Sequence, residues 1–262
     1  MTTVEQPLDA LAGDVPPLLA DVLGPTVERW ETFTVGQRLV ARALRHPGRI
    51  LSISTQRRIY DALVPVSTDS FAADMSPYWA QRSLEGYLER LTELVLVADA
   101  DGAMVGWTSF HVLPFDDRTI VYIDSTGMVS RQQSRGVMRE VLHRRVPDLV
   151  RLTSVLDKPV YLAARSESPV FHRLMRGLLT HPLHPHPEAE VPGDIVECGR
   201  LLAWWLGQLR LFDAGSLTIR GAYDTLDELY GELPTSGNAE LDALFRDRLG
   251  PLDAFILIGR VD

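Results

Sequence analysis

The sequence has one cysteine, Cys198, among its 262 residues. A single cysteine excludes an intramolecular disulfide, and such sparse use is typical of a reducing compartment. The opening residues, MTTVEQPLDALAGDVPPLL, lack the basic and then apolar pattern of a secretory signal peptide. The longest apolar runs, LLAWWLG and AFILIG, are far shorter than the roughly 20 residues that span a bilayer. We therefore expect a cytoplasmic protein that does not enter a membrane.

Excess positive charge is also lacking, since the formal net charge is −9. This balance argues against a general nucleic-acid-binding role and weakly favours a cationic small-molecule partner. Metal-ligand spacing is missing too. The segment THPLHPHP holds His181, His184 and His186, but its prolines favour an extended loop and no paired cysteines or histidines stand at zinc spacing. We expect no metal.

The composition of the whole chain, 45% hydrophobic and 23% charged, is that of an ordinary globular protein with a sizeable core. Apolar spacing predicts a helical N-terminal extension over residues 1–48 and a main domain over 49–262. Within that domain the pattern predicts two strands over 94–113 joined by a turn at Asp101-Gly102, and further strands at 118–129, 159–166, 216–223 and 253–261. It also predicts helices after Gly136 and at 168–178, and an inserted loop and helix at about 180–212. This order indicates a mixed α/β (α+β) fold with an antiparallel block, not a regular βα alternation.

The segment YIDSTGMVSRQQSRGVMREVL, residues 122–142, carries the most chemistry. A strand runs into polar residues, and Gly136 then opens a helix whose free backbone N–H groups can bind an anion such as phosphate. Arg131, Arg135 and Arg139 add positive charge to the same turn. A plain strand-to-helix turn with a solvated polar face is the alternative that the residues alone leave open.

This corner resembles the acyl-CoA signature of the GCN5-related N-acetyltransferase (GNAT) superfamily, Gln/Arg-x-x-Gly-x-Gly/Ala. Gln133, Ser134, Arg135, Gly136, Val137 and Met138 occupy its positions. Met138 departs from the pattern, because glycine or alanine is usual there. The resemblance covers about residues 49–178 well and the last two strands loosely.

The resemblance implies a mostly antiparallel central sheet, flanked by helices and splayed between the family's fourth and fifth strands, here 118–129 and 159–166. Pantetheine would enter that gap against the backbone of Met128 and Val129, and residues 133–138 would wrap the pyrophosphate. Arg131 or Arg135 would reach the 3′-phosphate. The co-substrate would be acetyl-CoA or another acyl-CoA, and the acceptor an amine of a small molecule or peptide.

Amide-forming acyl transfer needs a proton acceptor for the amine and a source of a proton for the thiolate. Family members often carry a tyrosine acid where this chain has Phe171, so another group, a water, or no acid must serve. His172 is the adjacent candidate. Asp124 is a candidate base whose pKa burial would raise, unless it pairs with an arginine. Glu167, at the mouth of the splay, is a second candidate base, or only a helix-start charge.

Three functions remain open. An acyl-CoA-dependent N-acyltransferase leads, and a non-catalytic acyl-CoA-binding module is the second. The third is an acyltransferase whose donor is a carrier protein, docked on basic residues that include Arg144 and Arg145 as well as the arginines of the corner. His111 could line the acceptor pocket, although a core position is more typical. The helix of LLAWWLGQL packs in the core or forms a homodimer contact, and the 180–212 insertion lies where family members bind acceptors.

Overall fold

The computed structural model describes residues 16–153, 157–227, 229 and 233–261. Its helices are α1 (Leu19–Leu23), α2 (Pro47–Ile50), α3 (Ile53–Phe71), α4 (Ser76–Leu84), α5 (Tyr87–Arg90), α6 (Val137–Thr153), α7 (Pro169–Arg176), α8 (Gly193–Trp205) and α9 (Ala239–Arg248). Its strands are β1 (Glu31–Val35), β2 (Leu39–Arg45), β3 (Glu93–Ala98), β4 (Met104–Pro114), β5 (Thr119–Met128), β6 (Val160–Ser166), β7 (Leu183–His184), β8 (Phe212–Asp213), β9 (Thr218–Ile219) and β10 (Ala254–Arg260).

The strands form one sheet in the order β1-β2-β3-β4-β5-β6-β10-β9-β8, with β7 also paired to β10. Every pairing is antiparallel except β5 with β6, which is parallel. A parallel pair needs a crossover, and α6 supplies it between these two strands. The predicted mixed fold with a mostly antiparallel sheet is confirmed.

The expectation of a helical extension over residues 1–48 is wrong where the structure describes it. Residues 31–35 and 39–45 are strands, and β2 pairs with β3 along its length, so both belong to the main sheet. In β2 the buried positions include Leu39, Ala41 and Ala43, a period of two. Between residue 16 and β1, the structure has α1 and a short 3-10 helix over residues 24–29. Residues 1–15 of the predicted extension lie outside the described ranges.

The splay between β5 and β6 is present. Their pairing runs from Thr119 opposite Val160 to Ile123 opposite Ala164, and then stops. Strand β6 continues to pair with β10 as far as Ser166, while the far half of β5 stays paired with β4. A gap therefore opens between the residues of β5 that follow Ile123 and the end of β6.

Two apolar clusters cover the two faces of the sheet. Because side chains alternate along a strand, Val121 and Leu162 belong to the larger cluster with α3 and α6, whereas Tyr122 and Ala163 belong to the smaller one with α8. The 180–212 segment thus supplies α8, which includes Cys198 and covers one face near the splay. None of the described helices is both long and apolar enough to cross a membrane.

Helix α6 is fixed to the sheet by a buried ion pair. The Arg145 guanidinium donates to both carboxylate oxygens of Glu93 at 2.7 and 2.6 Å and to Glu31 at 2.9 Å. The Arg145 side chain is 1% exposed and that of Glu93 is 0% exposed. Arg145 therefore cannot dock an acidic carrier protein, contrary to the expectation for the third function.

Candidate active site

A small cavity of about 70 Å³ occupies the splay. Strand β5 contributes Asp124 and Thr126 to its wall, and β6 contributes Arg165 and Ser166. The rest of the lining is mostly apolar or aromatic and comes from Phe71, Met75, Tyr78, Ile123, Phe171, Tyr223, Leu226 and Leu229, together with Ser125. The break in strand pairing thus leaves a small compartment between the end of β5 and the end of β6.

A second cavity, of about 220 Å³, adjoins the first. Tyr78, Arg165 and Tyr223 line both, so the two cavities share one wall. Arg82 from α4 and Gln208, which follows α8, also line the second cavity. The insertion at 180–212 therefore contributes to the wall of this cavity.

Asp124 forms a buried ion pair with Arg82 from α4. Arg82 Nη2 lies 2.6 Å from Asp124 Oδ1, and the two side chains are 11% and 0% exposed. Burial alone would raise the pKa of Asp124, but Arg82 and the hydrogen bond from His111 outweigh it and hold the pKa well below its usual range. The expected upward shift is wrong, and the arginine pairing is what the structure contains. A carboxylate this firmly ionised is a poor proton acceptor.

His111 holds the other side of the same carboxylate. Its Nε2 lies 3.0 Å from Asp124 Oδ2 and its Nδ1 lies 3.1 Å from the Arg90 carbonyl oxygen. Both partners are acceptors, so the protonated ring donates two hydrogen bonds and the neutral ring donates one. The ring is 3% exposed and packs against Trp205. His111 lines neither cavity, and its hydrogen bond holds the Asp124 carboxylate in place.

Tyr78 carries a hydroxyl at the cavities that no pattern in the sequence marked as a candidate. Its oxygen accepts a hydrogen bond from Arg82 Nη2 at 2.9 Å, which leaves the hydroxyl proton available to a ligand. Tyr223, the other tyrosine of the small cavity, donates to the Arg165 carbonyl oxygen at 3.2 Å, and burial raises its pKa. Phe171 lines the same cavity, so an aromatic ring does stand there without a hydroxyl. No sequence motif marks Tyr78, because its position depends on how α4 packs.

Glu167 and His172 differ sharply in their surroundings. Burial and the nearby Asp253 carboxylate raise the pKa of Glu167 to about 8, and its buried Oε1 has no hydrogen-bond partner among the described residues. Burial lowers the pKa of His172 to about 4, and its Nε2 donates to the Pro185 carbonyl oxygen at 3.0 Å. His172 is 3% exposed, packs against Phe245 and does not line either cavity, unlike Phe171.

The segment between β5 and α6 is tied to the end of α3. The Met128 N–H donates to Ser70 Oγ at 3.2 Å, and Gln133 Nε2 donates to the Met128 and Ser70 carbonyl oxygens at 3.0 and 2.9 Å. The Val129 N–H donates to the Val105 carbonyl oxygen of β4 at 2.9 Å. Gln133 thus holds the loop together from within, and a pantetheine group at Met128 would have to replace the Ser70 hydroxyl.

The start of α6 has the geometry of an anion site. Gly136 has a φ of +75°, which L side chains rarely adopt, and Ser134 before it has a φ of +59°. The N–H groups of the first helical turn have no acceptor within the helix. Val137 and Met138 are buried, so the methionine packs into the core instead of crowding the loop. The departure from the motif at Met138 is thereby accommodated.

The arginines of this corner divide into two groups. Arg131 is paired with Asp99 at 3.1 Å, so its charge is largely neutralised. Arg135 and Arg139 are exposed and form no ion pair with the described residues. The Arg139 guanidinium lies 3.3 Å from where a Cβ on Gly136 would stand. Free positive charge therefore comes from Arg135 and Arg139.

No group of three described His, Cys, Asp or Glu residues is placed to hold a metal ion.

Comparison with known proteins gives matches to solved structures alone. No protein-family model matches the chain, and no curated protein matches it. A GNAT family N-acetyltransferase (YhbS) from Escherichia coli, in complex with CoA, is 14% identical over 62% of this chain and 80% of its own, with a TM-score of 0.39. The ribosomal-protein-S18-alanine N-acetyltransferase from Escherichia coli is 12% identical over 85% of this chain and 94% of its own, with a TM-score of 0.42.

A spermidine N-acetyltransferase (SpeG) mutant from Vibrio cholerae is 14% identical over 60% of this chain and 88% of its own, with a TM-score of 0.35. The first of these structures is named as a GNAT family N-acetyltransferase, and the other two are named as N-acetyltransferases.

Proposed function

We propose that this chain is a member of the GCN5-related N-acetyltransferase superfamily that transfers an acetyl group from acetyl-CoA to a primary amine. The observation that carries the proposal is the parting of β5 and β6 at a small, partly open cavity with many apolar and aromatic walls, with the glycine-led start of α6 on the same strand's far side. A strand gap admits an extended thioester arm, and a helix start binds the phosphates at its other end.

The donor would lie along the corner with its pyrophosphate over the first turn of α6. Backbone N–H groups after Gly136 would donate to the phosphate oxygens, and Arg135 and Arg139 would supply charge-assisted hydrogen bonds. The pantetheine arm would then run into the gap beside Met128, where the Ser70 hydroxyl now satisfies the backbone.

The small cavity would hold the acyl group. Its volume of about 70 Å³ and its apolar and aromatic walls suit an acetyl or similarly short group, and they disfavour a long acyl chain. The second cavity of about 220 Å³ would hold the acceptor, because it shares a wall with the first. It is below the roughly 300–1,000 Å³ of drug-sized ligand sites, which favours a small acceptor or the end of a peptide.

Proton transfer is assigned to Tyr78 and Glu167. Tyr78 would protonate the departing thiolate, since this residue lines both cavities and its hydroxyl oxygen already accepts from Arg82. Glu167 lines neither cavity but directly follows Ser166 of the small cavity's wall, so it would accept the proton of the amine through a water, for which a pKa of about 8 suits it near neutral pH. Asp124 would act as a positioning residue that fixes Arg82 and, through it, Tyr78.

The experiment is to titrate CoA and acetyl-CoA into the protein by calorimetry, and to follow release of free thiol with a panel of primary amines. Binding with turnover supports the proposal. Binding without turnover would support the non-catalytic module instead, which Phe171 at the usual tyrosine position favours. Absence of CoA binding would overturn the proposal, and a carrier-bound acyl donor would then be the next to test.

A further inference from the structure

We propose that the acceptor carries a carboxylate, which Arg165 binds at the junction of the two cavities. This inference rests on the proposed function and names its substrate class. Arg165 stands at the end of β6, where pairing with β5 has ceased, and it lines both the small and the larger cavity. Any acceptor that fills the larger cavity and reaches the small one passes this side chain.

Arg165 has no carboxylate of its own in the described protein, because Asp124, whose pKa its charge helps to lower, is already paired with Arg82. One Nη1–H donates to Gln208 Oε1 at 2.6 Å, and the guanidinium lies 4.7 Å from the centre of the Tyr223 ring. No described carboxylate forms an ion pair with it. A guanidinium has five N–H donors, so an edge of the fork is left for a ligand. A poorly solvated arginine without a partner is costly unless an anion completes it.

The neighbouring charges do not complete it. Arg82 also lines the larger cavity, but Asp124 neutralises it. Glu85, at the rim, is paired with Arg90 at 3.7 Å and is 44% exposed. Asp224 is exposed at the same rim. Arg82 and Arg165 thus carry two positive charges beside the single buried carboxylate of Asp124, and this net positive charge disfavours the cationic acceptor that the overall acidic composition suggested.

A carboxylate fits this site better than other anions of similar charge. The planar fork of arginine bonds both oxygens of a carboxylate in parallel, and Gln208 already holds the guanidinium in place through a bond on one side. The cavity is small, and Arg165 is next to the acyl compartment, so the carboxylate and the reacting amine belong to one compact molecule. An amino acid or a related amino carboxylate meets these conditions.

The test compares amino acids with their primary amides as acceptors for acetyl-CoA. For side chains that are accepted, kcat/KM should be about 10- to 100-fold higher for the free carboxylate, the range of a charge-assisted hydrogen bond. Arg165→Gln should remove that preference mainly through KM, and Arg165→Lys should restore part of it. Arg200→Gln, which alters an exposed arginine on α8 paired with Glu197, is the control and should leave the preference intact.

A binding measurement covers the case in which Arg165→Gln does not fold or no amine of the panel is acetylated. N-acetylglycine and N-acetylglycinamide, both product-like, are titrated into the wild-type protein with CoA present, and the carboxylate should bind about 10-fold more tightly. Equal use and equal binding of carboxylate and amide would overturn the inference. So would a preference for succinyl-CoA over acetyl-CoA, because the carboxylate would then belong to the donor. Failure to bind CoA instead contradicts the proposed function, and the two failures are thereby separated.

Discussion

Replacing Asp124 with asparagine should destabilise the fold far more than removing an exposed charge. The asparagine keeps the size of the side chain but leaves Arg82, 11% exposed, without a counterion. Its amide NH₂ group would also face a donor, either Arg82 or the Nε2–H of His111. Breaking a buried ion pair by removing one partner costs about 3–5 kcal/mol. The unfolding midpoint should fall by roughly 6–20 °C, at about 2–4 °C per kcal/mol.

The assay is urea unfolding at pH 7, with thermal unfolding alongside it. Glu85→Gln is the matched control, because its pair with Arg90 spans 3.7 Å between side chains that are 49% and 44% exposed. Such a pair contributes at most about 1 kcal/mol. A double variant, Asp124→Asn with Arg82→Met, should be less destabilised than the sum of the single variants, since it removes the orphaned charge together with its partner.

The stability contribution of Asp124 should depend on pH in a definite direction. The pKa of Asp124 is lowered in the folded protein, so its contribution is complete above the unfolded value near 3.9 and is lost as pH falls below it. The gap between wild type and Asp124→Asn should therefore be constant from pH 5 to 8 and should shrink in acid. A gap below about 1 kcal/mol at pH 7 would refute the claim that this pair organises the site.

Three further predictions concern chemistry and donor binding. Tyr78→Phe should lower kcat by about 100-fold or more with CoA affinity unchanged, because only the proton donor is removed, and an unaltered kcat would exclude that role. Glu167→Gln should abolish a rise of kcat/KM with pH through about 8. In the wild type the free energy of unfolding should fall between about pH 4.5 and 8, because the folded carboxyl keeps its proton to higher pH than the unfolded one. Glu167→Gln should remove this fall. Arg135→Gln with Arg139→Gln should weaken CoA binding by roughly 3- to 30-fold in calorimetry, while Arg200→Gln should not change it.

Local patterns carried most of the prediction around the corner. The Asp101-Gly102 turn between β3 and β4, the polar end of β5 and the glycine before α6 each have a signature that acts over a few neighbouring residues. The residues at the start of α6 therefore stand where the sequence places them, with Arg135 exposed and free for an anion. Their contact with CoA stays a prediction.

The same local patterns misassigned β1 and β2, because the four-residue intervals from Val35 to Leu39 and from Val40 to Leu44 fit one turn of a helix as well as one face of a strand. Only pairing with β3 distinguishes the two possibilities, and that pairing joins residues about 50 apart in the chain. The direction of the Asp124 pKa failed for a related reason. Burial of that carboxylate could be inferred from its apolar neighbours in the sequence, but the arginine beside it could not.

The sequence by itself determined the order of strands and helices around the splay and the anion-binding character of the loop at Gly136, since both follow from short-range propensity and spacing. Tertiary structure alone decided the charges and proton positions of the site. Packing of α4 brings Arg82 and Tyr78 to Asp124, 42 residues from Arg82, and the end of pairing at Ile123 leaves Arg165 open to a cavity. Electrostatic energy depends on distance in space and on burial, and neither is written in the local order of residues.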